Sequence, residues 1–167
     1  MKRVLRNKGL TLIEVMVTVL ILMIAIIGAM AYRYYSSLDT RKADQQITAG
    51  RIGLLLLEGW RGAGGRAATD PDNNYNPANL SDAGAQLQIS AGSAGPIKPT
   101  GFTQFGAYLA VCEGAKYYAT MSWEDDPANP TVLRILNVEV AWIRDYPSGS
   151  YSSTDRTVKL TTKVGLP

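Results

Sequence analysis

Glu14 stands alone as a charge inside an apolar run that extends over 23 residues, from Leu10 to Tyr32. In a spanning helix, a carboxylate near the start of the segment costs roughly 2–3 kcal/mol, so its presence there signals a function or a cationic partner. The run supplies no cation, and a helix interior gives a glutamate no free backbone donor. A newly exposed α-amino group would serve, being compact, cationic near neutral pH and at the correct depth. That requirement points to proteolysis close upstream, where Lys8-Gly9-Leu10 lies.

Elsewhere the inventory excludes more chemistry than it offers. There is no histidine, which removes every His-based acid–base pair, nucleophile or metal site. Ser, Asp and Lys are present without a nucleophile elbow, so no catalytic residues are expected and the chain reads as a non-enzyme with no cofactor. Asp70, Asp72 and Asn74 alternate like the start of a calcium loop, but Tyr75 stands where glycine is wanted and Ser81 where glutamate is wanted, leaving only a weak candidate. Glu124-Asp125-Asp126 precedes Pro127 and reads as a solvated turn. Gly62-x-Gly64 has neither the preceding strand nor the following Lys-Ser/Thr of a phosphate loop. Cys112 is the sole cysteine, so these residues form no internal disulfide.

Charge is unevenly placed. The 17 Lys and Arg against 14 Asp and Glu give +3, yet Lys2, Arg3, Arg6 and Lys8 crowd the first eight residues. Past residue 9, 13 basic groups face 14 acidic ones, and no electrostatic case for nucleic acid remains. Basic residues ahead of an apolar run of about 34 Å keep the N-terminus in the cytoplasm and place the rest across the membrane. Tyr32, Tyr34 and Tyr35 then form an interfacial aromatic belt. An ordinary signal anchor would look much the same. So would a secretory signal cut after Ala29-Met30-Ala31, although its apolar core is usually shorter.

The stretch Lys8-Gly9-Leu10-Thr11-Leu12-Ile13-Glu14-Val15 resembles the prepilin processing site of the type IV pilin family, which includes pilus subunits, minor pilins and the pseudopilins of type II secretion. The resemblance implies that Gly9 ends a leader removed by an inner-membrane prepilin peptidase, that Leu10 becomes the N-methylated terminus, and that Glu14 meets a neighbouring subunit's amine during assembly. Leu10 departs from the commoner Phe or Met. The implied partners are other pilin or pseudopilin subunits, the prepilin peptidase, the inner-membrane assembly platform and membrane lipid. Retention of Glu14 and the lack of paired cysteines, together with the Trp123, Trp142 and terminal Thr/Lys strands, point to a minor pilin or pseudopilin. The implied place is the inner membrane, single pass, with the C-terminal domain periplasmic, and then the pilus or pseudopilus. A competing reading is a membrane-anchored periplasmic binding module that never polymerises.

These residues need elements to hold them. No proline occurs before residue 71, and Ile47, Gly50, Leu54 and Leu57 fall on one helical face, which predicts a helix from about Leu10 to about Trp60, roughly 75 Å long, ended by Gly59, Gly62, Gly64 and Gly65. Leu54-Leu55-Leu56-Leu57 is read as packing on a sheet. Residues 62–84 are rich in Gly, Pro, Asn and Asp and read as a surface loop. Beyond it, period-two alternation marks strands around Phe105–Val111, Ala115–Trp123, Leu136–Trp142 and Val158–Val164, with a weaker one at Leu87 and Ile89. Glu113-Gly114 reads as a hairpin turn, and Cys112 falls on the face opposite Phe105, Leu109 and Val111. The expected fold is α+β: a long N-terminal helix packed on a C-terminal antiparallel sheet with one wet face. Its parts are a leader (1–9), a spanning helix (10–32), a continuation on the sheet (33–61), the loop (62–84) and the sheet domain (85–167).

Overall fold

The structure, a computed structural model, describes residues 11–68, 75–80, 87–92, 94–143 and 156–166. Helix α1 spans Leu12–Gly62, followed by a 3₁₀ turn at Pro77–Leu80 and strands β1 (Leu87–Ala91), β2 (Thr103–Cys112), β3 (Ala115–Asp125), β4 (Leu133–Trp142) and β5 (Arg156–Gly165). The expected α+β architecture is observed. The chain divides into two units, Met1–Ala43 and Asp44–Pro167.

Within the first unit, residues 11–37 are all exposed. Their apolar side chains, Ile13, Leu20, Ile24 and Ile27 among them, are uncovered among the described residues. This part of α1 is long and apolar enough to cross a membrane.

In the second unit, the rest of α1 packs on a five-stranded antiparallel sheet of order β1-β2-β3-β4-β5. The helical face that meets the sheet is Ala49, Ile52, Gly53, Leu56, Leu57 and Trp60. That corrects the expected face: Ile47 and Leu54 are about half exposed on the opposite side, and only Leu57 of the predicted set is buried. The two stripes differ by roughly half a helical turn, and the four consecutive leucines satisfy either one. Gly53 and Trp60 break the tie. Gly53 lets the helix come so close that a Cβ there would stand 2.7 Å from Leu160 Cδ1. Trp60 is fully buried, stacks 4.7 Å from the Phe105 ring centroid and donates its indole N–H to the Arg66 carbonyl.

The helix stops through left-handed glycines. Gly64 and Gly65 have φ of 78° and 64°, and their N–H groups bond back to the Arg61 and Trp60 carbonyls. Gly65 also lies against Val164 and Leu136, so a side chain there would collide with β5. The segment read as a surface loop returns to the core: Pro77 is fully buried, and the Tyr75 hydroxyl donates to the Leu56 carbonyl at 2.7 Å.

The β2–β3 hairpin turns through Glu113 and Gly114, both at positive φ (50° and 80°), as a two-residue turn of the twist-matching type requires. Upstream, a bulge between Gln104 and Gly106 adds a residue to β2. Phe105 faces α1 as expected, but the bulge reverses the alternation beyond it. Tyr108, Ala110 and Cys112 therefore join the core side while Leu109 and Val111 move to the other face, the reverse of the sequence reading.

Nor is the second face wet. Tyr118, Thr120, Ser122, Asn137 and Ala141 are all buried there. The β1–β2 connection lies across part of it, with Pro96 buried and Gly95 so close that a Cβ would approach Thr120 Oγ1 to 2.5 Å. Polar groups on this face bond across strands: Asn137 Nδ2 donates to Ser122 Oγ, and Thr161 Oγ1 donates to Asn137 Oδ1.

The two helical stripes differ in a measurable way. Leu56→Ala should destabilise the chain in detergent by about 2–5 kcal/mol in chemical denaturation, as a buried leucine does. Leu54→Ala should change stability by about 0.5 kcal/mol or less. Equal losses would restore the originally expected face.

Candidate functional site

Helix α1 begins one residue after Thr11, whose carbonyl accepts the N–H groups of Glu14 and Val15 at 3.1 and 3.3 Å. Glu14 is thus the third residue of the helix, in its first turn, and it is exposed. This changes the physical argument. The N–H groups ahead of Glu14 in the first turn have no helical acceptor, and the positive end of the helix dipole favours an anion there. The sequence reading sets Glu14 in a helix interior, whereas the structure sets it in the first turn. The spacing that would have revealed it, Thr11-x-x-Glu14, has the form of a capping box. Thr18, one turn on, returns its hydroxyl to the Glu14 carbonyl at 2.7 Å, so it adds no exposed donor to the apolar surface. Gly9 and Leu10 lie outside the described residues, as do Asp70, Asp72 and Asn74.

Beyond Glu14 the surface is aliphatic until Tyr32, Tyr34 and Tyr35, all exposed, the last two stacked edge to face at 5.8 Å. An uninterrupted apolar cylinder with one acid at its start can be covered by lipid or by helices of the same kind, and in either place the acid is its sole long-range electrostatic handle.

The remaining acidic cluster serves the fold. Among the described residues, no group of three or more acidic or cysteine side chains could hold a metal ion. Glu124-Asp125-Asp126 is not a solvated turn. Asp125 Oδ1 accepts from Arg134 Nε at 2.8 Å, while the guanidinium lies 3.9 Å over the Trp123 ring and also reaches the Gly65 carbonyl. Such a cation–π contact contributes about 1 kcal/mol. Asp126 is buried, takes Lys163 Nζ at 2.6 Å and the Ala128 N–H at 3.0 Å, and so caps the β3–β4 turn while tethering β5. Its bond from Lys163, followed by that from Ala128, pulls the Asp126 carboxyl below the ordinary 3.8. Cys112 is half-buried, and burial with Glu113 beside it pushes the thiol up, away from the thiolate that reactivity requires.

Residues 5–30 match the family described as the prokaryotic N-terminal methylation motif. The chain thus carries the N-terminal signature of the type IV pilin-like and pseudopilin precursors. No curated protein and no solved structure matches it. The motif and the apolar helix behind it describe a membrane-anchored, single-pass protein.

Two titrations follow from the packing. Asp126 is held ionised in the folded state, so its contribution is complete above the ordinary carboxylate value and is lost as pH falls below about 4. Tyr75 behaves oppositely: burial, then Tyr108, raises its phenol above the ordinary 10.0, so its contribution is complete below pH 10 and is lost above it. Unfolding measured from pH 2 to 12 should show both limbs. Asp126→Asn should flatten the acidic one, and Tyr75→Phe should reduce the alkaline one, to which the buried phenols of Tyr108 and Tyr117 also contribute.

Proposed function

We propose that this protein is a minor pilin or pseudopilin, a filament subunit of a type IV pilus or type II secretion machine. The observation that carries the reading is the methylation motif at residues 5–30 leading directly into a helix whose apolar side chains are exposed. Such a helix is stable in lipid as a monomer and among like helices in a filament core, and transfer between them exchanges one apolar environment for another. Pilin-like proteins are structural subunits and not typically enzymes. In this reading Gly9 ends the leader, Leu10 is the methylated terminus and residues 10–32 span the inner membrane with the N-terminus cytoplasmic. Residues beyond the membrane form the periplasmic domain. Subunits of the same family, the peptidase and the assembly platform are its partners.

Glu14 has two states in this scheme. In the monomer it sits at the positive end of α1, and in the filament it takes the amine of a neighbour's Leu10. Pairing in a low-dielectric core then favours the assembled state and leaves folding of the second unit unaffected.

Intact mass of the protein isolated from a host with an active prepilin peptidase should correspond to the 158 residues from Leu10 to Pro167 plus one methyl group. A retained leader, or a cut after Ala31, would overturn the assignment. Glu14→Val should leave insertion and cleavage intact and deplete the protein from sheared filament fractions at least tenfold. A non-polymerising anchor predicts normal insertion and no filament fraction for either form.

A further inference from the structure

Strand β5 ends the sheet, with β4 as its one strand neighbour among the described residues. The pairing runs without a break from Leu133 opposite Gly165 to Trp142 opposite Arg156. Just beyond it, the Leu166 N–H donates to the Val132 carbonyl at 2.8 Å. Bonded and non-bonded pairs alternate along an antiparallel ladder. The bonded pairs are therefore Arg134 with Val164, Leu136 with Thr162, Val138 with Leu160 and Val140 with Val158. It follows that the backbone N–H and C=O groups of Thr157, Lys159, Thr161 and Lys163 point away from β4 towards the open edge. All these residues are exposed.

An edge of this length is normally blunted by proline, a bulge or free charge. Strand β5 contains no proline and its pairing with β4 shows no bulge. Its lysines are drawn back over the sheet, Lys159 to Glu139 and Lys163 to Asp126, each at 2.6 Å. By contrast β1, the other edge, has five residues against ten in β5. On the side facing α1, Val158, Leu160 and Val164 pack on the core and remain only partly buried.

We propose that the open edge of β5 docks an extended, acidic segment of a different polypeptide, which adds as a sixth strand. Its backbone bonds to Thr157, Lys159, Thr161 and Lys163, with carboxylates beside the two lysines and apolar side chains beside Val158, Leu160 and Val164. The charge pattern selects this occupant. Strand β5 carries Arg156, Lys159 and Lys163 and no acid, so a second copy of β5 would offer no carboxylate to either lysine. The two lysine side chains are 53% and 59% exposed, and each ammonium has donors beyond the one its partner accepts, so each takes a second carboxylate. The inference does not rest on filament assembly and holds for a membrane-anchored module as well.

Amide hydrogen exchange of the full chain in detergent micelles tests it, with a synthetic decapeptide of alternating Val and Glu as the probe. The peptide should slow exchange at Thr157, Lys159, Thr161 and Lys163 by on the order of tenfold or more, and a Val/Lys peptide should leave it unchanged. Thr161→Pro removes an outward N–H without touching a bond to β4 and should abolish the effect, as proline is tolerated on the free side of an edge strand. Thr161→Ala keeps that N–H, loses only the hydroxyl bond to Asn137, and should respond as the parent does. No slowing in the parent, equal slowing by both peptides, or slowing of the same amides in concentrated protein without peptide would overturn the proposal. The last of these would put a second copy on the edge.

Discussion

Apolar surface must leave water, and α1 meets that requirement in two different ways along a single helix. From Leu12 through Ala31 its side chains are exposed and, apart from Glu14 and Thr18, wholly apolar, a condition that only lipid or other helices can satisfy. From Ala49 to Trp60 one face is removed from water by this protein's own sheet. The opposite face there carries Ile47 and Leu54 among charged residues, with ion pairs such as Glu58 to Arg61 on the solvent side. One stretch therefore lacks a partner among the described residues while the next is specified by one.

The sheet is built to keep that partner rigid. Its core side supplies Tyr108, Ala119, Met121, Leu136, Val138 and Val140 to the helix, and the small residues Gly53 and Ala49 allow close approach. Its second side gains cohesion from polar bonds that cross strands, Ser122 to Asn137 to Thr161, and from the acids that hold the two lysines of β5. Hydrogen bonds that are fully matched in a buried setting fix register better than apolar contacts, which tolerate sliding. The Trp123–Arg134–Asp125 group performs a related task at the end of α1, where Arg134 reaches the Gly65 carbonyl.

Much of this was legible in the sequence. Four alternating runs, a weaker fifth, the Glu113-Gly114 turn and the helix-ending Gly64 and Gly65 appear where pattern and turn chemistry place them, while Gly59 and Gly62 fall inside α1. What pattern could not give was phase. Four consecutive leucines fit either helical stripe, and the choice came from Gly53 and Trp60, whose roles depend on the spatial proximity of Leu160 and Phe105. A one-residue bulge at Phe105 moved Cys112 from one face to the other, and nothing in Thr103–Cys112 announces it except Gly106, which lies under the Tyr108 ring. Thr11-x-x-Glu14 has the form of a helix start, but apolar residues stand on both sides of it and hide the boundary. The acids at 125 and 126 looked solvated because their partners, Arg134 and Lys163, are distant in sequence. For the candidate site, the motif at residues 5–30 was legible because it is a pattern of local sequence that needs no tertiary structure to be read.

The inward turn of Cys112 bears on how the second unit holds together in different surroundings. With one cysteine in the sequence, and that one set against the core with its thiol kept protonated, no covalent cross-link joins its elements. Cohesion comes wholly from packing, strand pairing and ion pairs. The native structure is therefore indifferent to the redox poise of the compartment that receives it. It forms without waiting for an oxidant or an isomerase, and a reductant has no bond in it to break.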